Sequence, residues 1–266
     1  MAGIIAAAAN GIGVMGVAWN THVEPLRIFT NKKSTDVQAS HAIEFALAHQ
    51  ASVINASWVS PCPLQHVREQ LDRALEEQVL IVTAAGNAGS AGPGVHNIDE
   101  PDHAMYPANY KLSNVIVVMS HGHDGEPSAG SNWGPRTVDL AAPGWAYTTT
   151  LCTEQKTCYN AVPESTSNAT AYVSGAAALL KSVHPNWTAQ WLKTHLIESA
   201  VPDPALKGKV SSGARLSLDR ALLGPLSVVA PARGARWSRS SKHTVIRLRC
   251  LPGDFVSVSE EFSIRP

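Results

Sequence analysis

The sequence predicts an α/β fold in which a parallel sheet is flanked by helices on both faces. Short apolar segments rich in β-branched residues alternate with segments of helical periodicity, and this alternation is typical of parallel sheets. The apolar segments keep apolar residues at successive positions, as strands buried on both faces do. The strand candidates are VEPLRIF (23–29), ASVINAS (51–57), VLIVTAAGN (79–87), NVIVVMS (114–120) and TVDLAAPG (137–144).

Four segments have the apolar spacing of a helix that covers a sheet. Two of them separate strand candidates, and the third is so rich in alanine that it must pack closely against its neighbours. The predicted helices are 36–50, 64–78, 168–183 and 188–199.

Composition places the chain among globular proteins. Hydrophobic residues make up 44% of the 266 residues and charged residues 16%. The 21 basic and 21 acidic residues cancel, so no overall charge attracts the chain to nucleic acid or to an anionic membrane. No apolar run reaches the roughly 18 residues that a membrane span needs. We therefore expect neither a nucleic-acid partner nor a membrane span.

Polar residues follow two predicted elements where an α/β sheet usually carries its function, at the carboxyl ends of the strands. TAAGN ends one strand with Gly86 and Asn87, and Ser165, Thr166 and Ser167 precede the alanine-rich helix. A Gly-Asn pair is common in turns, and a serine there can be a simple N-cap. An amide donor and a serine at a helix N-terminus can also flank one developing oxyanion. We therefore expect Asn87 and Ser167 to lie close together.

Several motifs carry a resemblance to one family. STSNATAYVSGAAALL resembles the nucleophile motif of the subtilisin-like serine proteases (the subtilase family), usually written Gly-Thr-Ser-Met-Ala-x-Pro, and TAAGN resembles the segment with their oxyanion-hole Asn. VINASW, YPA, NVIVV, SNWGP and VDLAAPG match further motifs in family order, from residue 2 to about 223.

The resemblance implies a serine endopeptidase that acts on polypeptides, with Ser167 as nucleophile and Asn87 in the oxyanion hole. It also implies that the segment around residues 57–65 lines the substrate cleft. The predicted substrate-binding residues are Ser57, Trp58, Val59, Ala84, Ala85, Gly86, Ser165 and Thr166.

The sequence shows no catalytic His and Asp to act with Ser167. A serine hydroxyl needs a base, normally a His oriented by a carboxylate. In the family, the Asp lies on an early central strand and the His opens a helix in His-Gly-Thr-His-Val-Ala-Gly, and Met1 stands where the valine of that motif would be. The resemblance thus implies that an amino-terminal part with both residues is missing, and that the Asp strand lies between 23–29 and 51–57. We expect the isolated chain to be almost inactive and marginally stable.

Other titratable residues do not complete a triad. His22, in NTHV, lies beyond the position of the family motif. His121 and His123 are expected to be solvated in a loop after a strand, without metal-ligand spacing. Asp139 matches a structural position of the family. No cofactor is expected to be required, and a structural calcium ion is possible by resemblance, although no clustered acidic loop identifies its ligands.

The nucleophile motif departs from the family at three positions. Ser165 stands where Gly is usual, Asn168 replaces Met and Ala171 replaces Pro. Because Gly allows close approach of a substrate, the Ser165 side chain could crowd the cleft. The first hypothesis is a subtilisin-type endopeptidase, and the alternative is a non-catalytic pseudoprotease that binds proteins or peptides. An esterase-type hydrolase is disfavoured, because no G-x-S-x-G elbow surrounds Ser167.

Cysteines and sequons favour a secreted protein, although the opening residues lack a signal-peptide pattern. Cys152 and Cys158 enclose five residues, a spacing that favours a small hairpin disulfide, with unpaired thiols as the alternative. Asn55, Asn168 and Asn186 lie in glycosylation sequons, of which Asn168 is too close to the nucleophile to carry a glycan.

The expected domains are a peptidase domain at 1–223 and a carboxyl-terminal extension at 224–266. The extension has short alternating segments and arginine-rich turns, which are typical of a short β-rich tail and resemble the start of a β-sandwich module. A disordered basic tail is the equal alternative.

Overall fold

A computed structural model describes residues 1–29, 34–90, 92–149 and 159–224. The six helices of these residues are α1 (Ala2–Ala6), α2 (Asp36–Ala48), α3 (Gln65–Glu76), α4 (Thr166–Val183), α5 (Ala189–Glu198) and α6 (Leu218–Leu223). None of the described helices is long and apolar enough to cross a membrane.

The strands form one mixed sheet and one hairpin. The six-stranded sheet has the order β1-β2-β3-β4-β8-β7, in which β7 and β8 pair antiparallel and all other neighbours pair parallel. The hairpin joins β5 to β6. The strands are β1 (Val53–Ala56), β2 (Leu80–Ala84), β3 (Val115–His121), β4 (Leu140–Pro143), β5 (Ala146–Thr149), β6 (Tyr159–Val162), β7 (Val201–Pro202) and β8 (Ala214–Arg215).

The sheet is covered by helices on both faces, as the sequence predicts. Every residue of β2 and β3 is buried. Because side chains alternate along a strand, Leu80 and Val82 pack with α4 and α5, whereas the neighbouring Ile81 packs with α2 and α3. The continuous apolar runs of the sequence therefore have their physical cause in two separate helix layers.

The prediction of a strand at 23–29 is wrong. Residues 22–29 have no regular secondary structure. A strand is defined by ladder hydrogen bonds to a neighbour, and in the described part of the chain this segment pairs with no strand; a cavity is lined by both the segment and β1. The β-branched composition of the segment is present, but the pairing partner is not beside it.

Helix α4 packs so closely against the segment before residue 20 that only glycine fits at one position. A Cβ added to Gly175 would lie 2.7 Å from the Cβ of Val17, well inside van der Waals contact.

We expect Gly175→Ala to lower the free energy of unfolding by about 1–3 kcal/mol, because the extra methyl group overpacks the contact. Guanidinium denaturation measures the change. The double variant Val17→Ala/Gly175→Ala should recover part of the loss, and equal stability of Gly175→Ala and wild type would contradict this close approach.

Candidate active site

Ser167 is the second residue of α4, at the amino end of an 18-residue helix. The first N–H groups of a helix have no acceptor within it, and the aligned peptide dipoles place about half a positive charge there. The Ser167 Oγ is half-buried and donates a hydrogen bond of 3.1 Å to the carbonyl oxygen of Ser57. The predicted nucleophile therefore lies where an anion is stabilised.

Asn87 follows β2 on a tight turn made by Gly86. Gly86 has a φ of +90°, and a Cβ at this residue would lie 2.9 Å from the side-chain nitrogen of Asn132. Asn132 is fully buried. Its side-chain oxygen accepts from the His96 main-chain N–H (3.0 Å), and its main-chain N–H donates to the Gly86 carbonyl (3.0 Å). Asn132 thus holds the turn that presents Asn87, a role that sequence reasoning did not assign to SNWGP.

Asn87 and the start of α4 are in direct contact, although 79 positions separate Asn87 from Thr166. The Asn87 Oδ1 accepts hydrogen bonds from the Thr166 amide (2.9 Å) and the Thr166 hydroxyl (3.1 Å). Both lone pairs of that oxygen are thereby used. The NH₂ group of Asn87 donates to no acceptor in the described part of the chain, so it remains available near the first turn of α4. The structure brings together the pair that the sequence placed at one edge of the sheet.

Ser57 and Ser167 are joined by two reciprocal hydrogen bonds. The Ser57 Oγ donates to the Ser167 carbonyl (3.0 Å), in addition to the bond from Ser167 to Ser57. Asn55 donates to the Ser57 Oγ (2.9 Å) and accepts from the Ser174 hydroxyl (2.9 Å). This polar chain fixes the end of β1 against the first turns of α4.

Sequence reasoning missed Asn55 and Ser174. One signal was available for each. Asn55 is a polar residue in an otherwise apolar strand, and Ser174 follows Ser167 by seven positions, which places both serines on one face of α4.

The other predicted substrate contacts differ in how far they reach the surface. Ala84, Ala85 and Thr166 have relative exposures of 2%, 0% and 0%, so their side chains do not line an open cleft and only their main chain could meet a substrate. Trp58 and Val59 are half-buried against the core under α2 and α3.

Asn168 occupies the Met position of the motif and is buried. Its side-chain amide donates to the carbonyls of Gly144 (2.7 Å) and Pro163 (2.9 Å). Both N–H groups are therefore used to tie the loop before α4 to the end of β4. Ala171, at the Pro position, is fully buried in a cluster with Ile4 and Ile5 of α1.

Ser165, at the usual Gly position, is the N-cap of α4. Its φ of −159° is ordinary extended backbone, and its side chain accepts from the Asn168 amide at 3.3 Å. The side chain that was expected to crowd the cleft therefore caps the helix.

The capping role of Ser165 predicts a matched pair of effects. Ser165→Ala should lower the free energy of unfolding by about 1 kcal/mol, whereas Ser165→Gly should cost only a few tenths. Urea denaturation of the two variants beside wild type measures both. Equal losses in the two variants would show that the hydroxyl does not act as a cap.

No base contacts Ser167 within the described residues. Its hydroxyl reaches the Ser57 carbonyl, and neither an imidazole nor a carboxylate is within hydrogen-bonding distance of it in this part of the chain. No group of three or more His, Cys, Asp or Glu among these residues is arranged to hold a metal ion.

One of the two loop histidines, His121, differs from the expectation that both are solvated. His121 is the last residue of β3 and is buried rather than solvated, with its Nδ1 2.8 Å from the Gly122 carbonyl oxygen. Burial lowers the pKa of His121, so the imidazole is held neutral. His123 is exposed and stacks on Trp145 with ring centroids 3.6 Å apart. Asp139 immediately precedes β4 and pairs with Lys193 of α5 at 3.3 Å.

The cysteine and sequon predictions have different outcomes. Cys152 and Cys158 lie outside the described residues, as does nearly all of the extension at 224–266, and Cys62 is a free, exposed cysteine. Asn55 and Asn168 use their side-chain amides in internal hydrogen bonds, so these two sequons are unsuited to glycosylation of the folded chain. Asn186 is exposed.

Known proteins are similar to this chain in sequence and in fold. Subtilisin E of Bacillus subtilis is 32% identical over 203 residues, which cover 75% of this chain and 49% of that protein. Subtilisin of Bacillus pumilus is 31% identical over 203 residues, which cover 75% of this chain and 68% of that protein. The chain thus spans only about half the length of subtilisin E and of several other curated relatives that it matches.

Two solved structures resemble the fold. A protease from Pseudoalteromonas arctica superposes with a TM-score of 0.70 at 25% identity and covers 84% of this chain and 68% of its own. The prenylagaramide maturation protease PagA superposes with a TM-score of 0.64 at 24% identity, over 83% of this chain and 79% of its own, which shows likeness of fold alone. A family model described as the subtilase family matches residues 1–222. The chain therefore belongs to the subtilase family.

Proposed function

We propose that this chain carries the nucleophile and the oxyanion hole of a subtilisin-type serine endopeptidase. Ser167 is the nucleophile, and the Asn87 amide together with the main-chain N–H at the start of α4 binds the oxyanion. The observation that carries the proposal is the pair of hydrogen bonds from Thr166 to the Asn87 Oδ1, because they leave the NH₂ of Asn87 directed away from Thr166 and free to donate.

The chemistry follows from these positions. The Ser167 oxygen attacks the carbonyl carbon of a peptide, and its proton passes to a histidine base that lies outside the described residues. The carbonyl oxygen gains negative charge at the positive end of α4, where it accepts from Asn87. Collapse of the tetrahedral intermediate breaks the C–N bond, the amine leaves with the proton from the base, and water then hydrolyses the acyl-enzyme.

For subtilisin itself, the contribution of the oxyanion-hole Asn to catalysis is known. Removal of its oxyanion-hole Asn lowers kcat by about 10²–10³, which corresponds to roughly 2.7–4 kcal/mol. We expect the Asn87 contribution here to be of the same order, since Asn87 is hydrogen-bonded to the first turn of the helix that carries Ser167.

A peptide boronic acid tests the site without requiring a base for turnover. The Ser167 oxygen bonds to boron and its hydroxyl proton is released to the buffer, and the resulting tetrahedral boronate anion imitates the oxyanion. We expect ¹¹B NMR to show a tetrahedral adduct in the wild-type chain, no adduct in Ser167→Ala, and about 10²-fold weaker binding in Asn87→Ala. Ser182→Ala, which changes a serine at the far end of α4, is the matched control.

The alternative, a pseudoprotease that only binds peptides, predicts a different pattern. The boronic acid would then bind no better than the corresponding peptide amide, and neither Ser167→Ala nor Asn87→Ala would change its affinity. Such a result would reject the catalytic proposal and leave peptide binding in place. The features that favour this alternative are Ser165 and Ala171, at the usual Gly and Pro positions of the motif, and the lack of a base beside Ser167 within the described residues.

We also propose that the full protein acts outside the cell. Asn186 is an exposed sequon, and the Cys152–Cys158 disulfide and a structural calcium ion remain predictions. Mass mapping under non-reducing conditions tests the disulfide, for which two free thiols would be the contrary result.

A further inference from the structure

Residues 8–15, which we call the α1 loop, leave the end of α1 and return to it. Main-chain hydrogen bonds close the base of the loop, from Gly16 to the Ala7 carbonyl (2.9 Å) and from Val17 to the Ile4 carbonyl (2.9 Å). Residues 8–13 are all exposed, and a Cβ added to Gly11 would meet no atom within 4 Å. The α1 loop is therefore held at its two ends and open to water at its tip.

The tip of the α1 loop carries Asn10 and Gly11, the only Asn-Gly pair in the sequence. The side-chain amide carbon of an asparagine can be attacked by the main-chain nitrogen of the next residue, which closes a succinimide ring. Glycine hinders this attack least, because it has no Cβ and adopts most backbone conformations. Asn20 is also exposed, but it precedes the β-branched Thr21. Sequence and exposure together therefore single out Asn10.

The groups that ring closure needs are available at Asn10. The Gly11 N–H donates to no acceptor within the described residues, so the attacking nitrogen is not engaged. The Asn10 Oδ1 accepts from the Ile12 main-chain N–H at 3.0 Å. That N–H stabilises the negative charge that this oxygen gains when the ring closes. The Asn10 side chain is exposed, so the leaving nitrogen can take a proton from water.

The one Asp-Gly pair of the chain shows the opposite arrangement. The Asp124 Oδ1 also accepts from the N–H two residues on, that of Glu126, at 3.1 Å. Gly125, however, is buried and donates its own N–H to the Gly122 carbonyl (3.2 Å). A Cβ at Gly125 would lie 3.2 Å from a guanidinium nitrogen of Arg215. The nitrogen that would attack is thus engaged and enclosed, and we expect no ring closure there in the folded chain.

We propose that Asn10 is a site of spontaneous covalent modification in the folded chain, which converts it to aspartate and isoaspartate. The Gly11 nitrogen bonds to the Asn10 Cγ and gives its proton to a base in the solvent. The Cγ–Nδ2 bond breaks, and the nitrogen takes up a proton and leaves as ammonia. Water then adds to either carbonyl carbon of the succinimide and one C–N bond of the ring breaks. The net reaction consumes water and releases ammonia, without oxidation or reduction.

The fold can accept both products. Residues 1–23 contain no Asp, Glu, Lys or Arg, so the new carboxylate meets no like charge in its own segment. Isoaspartate lengthens the main chain by a methylene group, and the hydrogen bond from Gly16 to Ala7 confines this change to the α1 loop. The modified form should therefore stay folded and accumulate with the age of the protein. The modification does not depend on the proposed hydrolysis, because it uses no atom of Ser167.

Ageing of the purified chain tests the proposal. Residues 1–266 are kept folded in mildly alkaline buffer, and samples are taken for isoelectric focusing and peptide mass mapping. An isoaspartyl methyltransferase with a labelled methyl donor reports isoaspartate separately. We expect an acidic form to accumulate, with the methyl label confined to the peptide that contains Asn10 and Gly11. The thermal unfolding midpoint of the aged chain should equal that of the fresh chain.

Two matched variants localise the reaction. Asn10→Gln keeps a neutral amide but would have to close a larger and less favourable ring, so the acidic form and the label should both be lost. Asn20→Gln, which makes the same change at the other exposed asparagine of this segment, should age as wild type does. Ser167→Ala should also age as wild type does, so this result is independent of the catalytic proposal.

Three results would overturn the proposal. The first is an aged wild-type chain without an acidic form. The second is an acidic form that persists in Asn10→Gln, or a label at Asn20 or Asp124, because another site would then be the reactive one. The third is conversion of Asn10 in urea but not in the folded chain, because the fold would then hold the Gly11 nitrogen away from the amide carbon.

Discussion

Residues 1–266 should hydrolyse a mixed peptide library at a rate far below that of an ordinary subtilisin. The Ser167 hydroxyl donates to a carbonyl oxygen and meets no base within the described residues. In subtilisin itself, loss of the triad serine or histidine lowers kcat by about 2 × 10⁶, and roughly 10³–10⁴ over water remains from the oxyanion hole and binding. Those magnitudes belong to the relative, and we expect the same order here.

The assay compares the wild-type chain with Ser167→Ala at equal concentration, with released amines as the readout. Both should give the same low rate, because the serine without a base contributes little. Turnover within a few hundredfold of an ordinary protease that is abolished in Ser167→Ala would show a base that is not recognised here. His243, outside the described residues, would then be the first histidine to replace.

Lys193→Met should lower the free energy of unfolding by about 3–5 kcal/mol near pH 7, because it leaves the Asp139 carboxylate buried without its partner. Lys193 Nζ lies 3.3 Å from the Asp139 Oδ1 and also donates to the Val115 carbonyl. The second Asp139 oxygen accepts from the Val117 amide at 2.7 Å. Chemical denaturation of the variant and wild type gives the difference.

The pH dependence of this loss has a defined sign. Burial raises the pKa of Asp139, and the Lys193 ammonium and the Val117 amide oppose that shift. Without the ammonium, the folded-state pKa rises further above the unfolded value. A group of this kind stabilises the fold below its unfolded pKa and loses that contribution as the pH rises through its folded pKa. The deficit of Lys193→Met relative to wild type should therefore be largest at neutral pH and shrink as the pH falls toward about 4.

Asp139→Asn supplies the matched control. The double variant Lys193→Met/Asp139→Asn removes the charge and keeps an acceptor for the Val117 amide, so it should recover most of the lost stability at pH 7. A double variant no more stable than Lys193→Met at pH 7 would show that the loss comes from packing of the lysine stem and not from an unpaired carboxylate.

The parts of the fold that the sequence predicts are those whose pattern has a local cause. β2 and β3 are buried at every position because helices cover both of their faces. Helix α2 begins where predicted because Thr35 and Gln38 form a capping box. The segment 23–29 has the composition of a strand but depends on a neighbour for its pairing. No local pattern contains that neighbour, so the prediction failed there.

The candidate site divides in the same way. Asn87 and Ser167 were predicted because each ends or begins an element at the functional edge of the sheet. Asn132 and Asn168 were not assigned roles, because their hydrogen bonds go to main-chain carbonyls and amides that are brought near only by the tertiary fold. The helix-capping role of Ser165 was the simplest interpretation of a serine before a helix, and it applies to Ser165 rather than to Ser167.

The two bonds that Thr166 donates to Asn87 also determine which end of a nearly symmetrical group faces a substrate. The oxygen and the nitrogen of a side-chain amide have almost the same shape, and rotation by half a turn exchanges a donor for a lone pair. At Asn87 that rotation would set its NH₂ against the Thr166 main-chain N–H and lose that hydrogen bond, and the Thr166 hydroxyl would have to turn from donor to acceptor. The amide is thus already oriented before any charge develops, and no rotation has to accompany the reaction. Thr166, whose side chain is fully buried, therefore determines the polarity of the surface beside the proposed nucleophile.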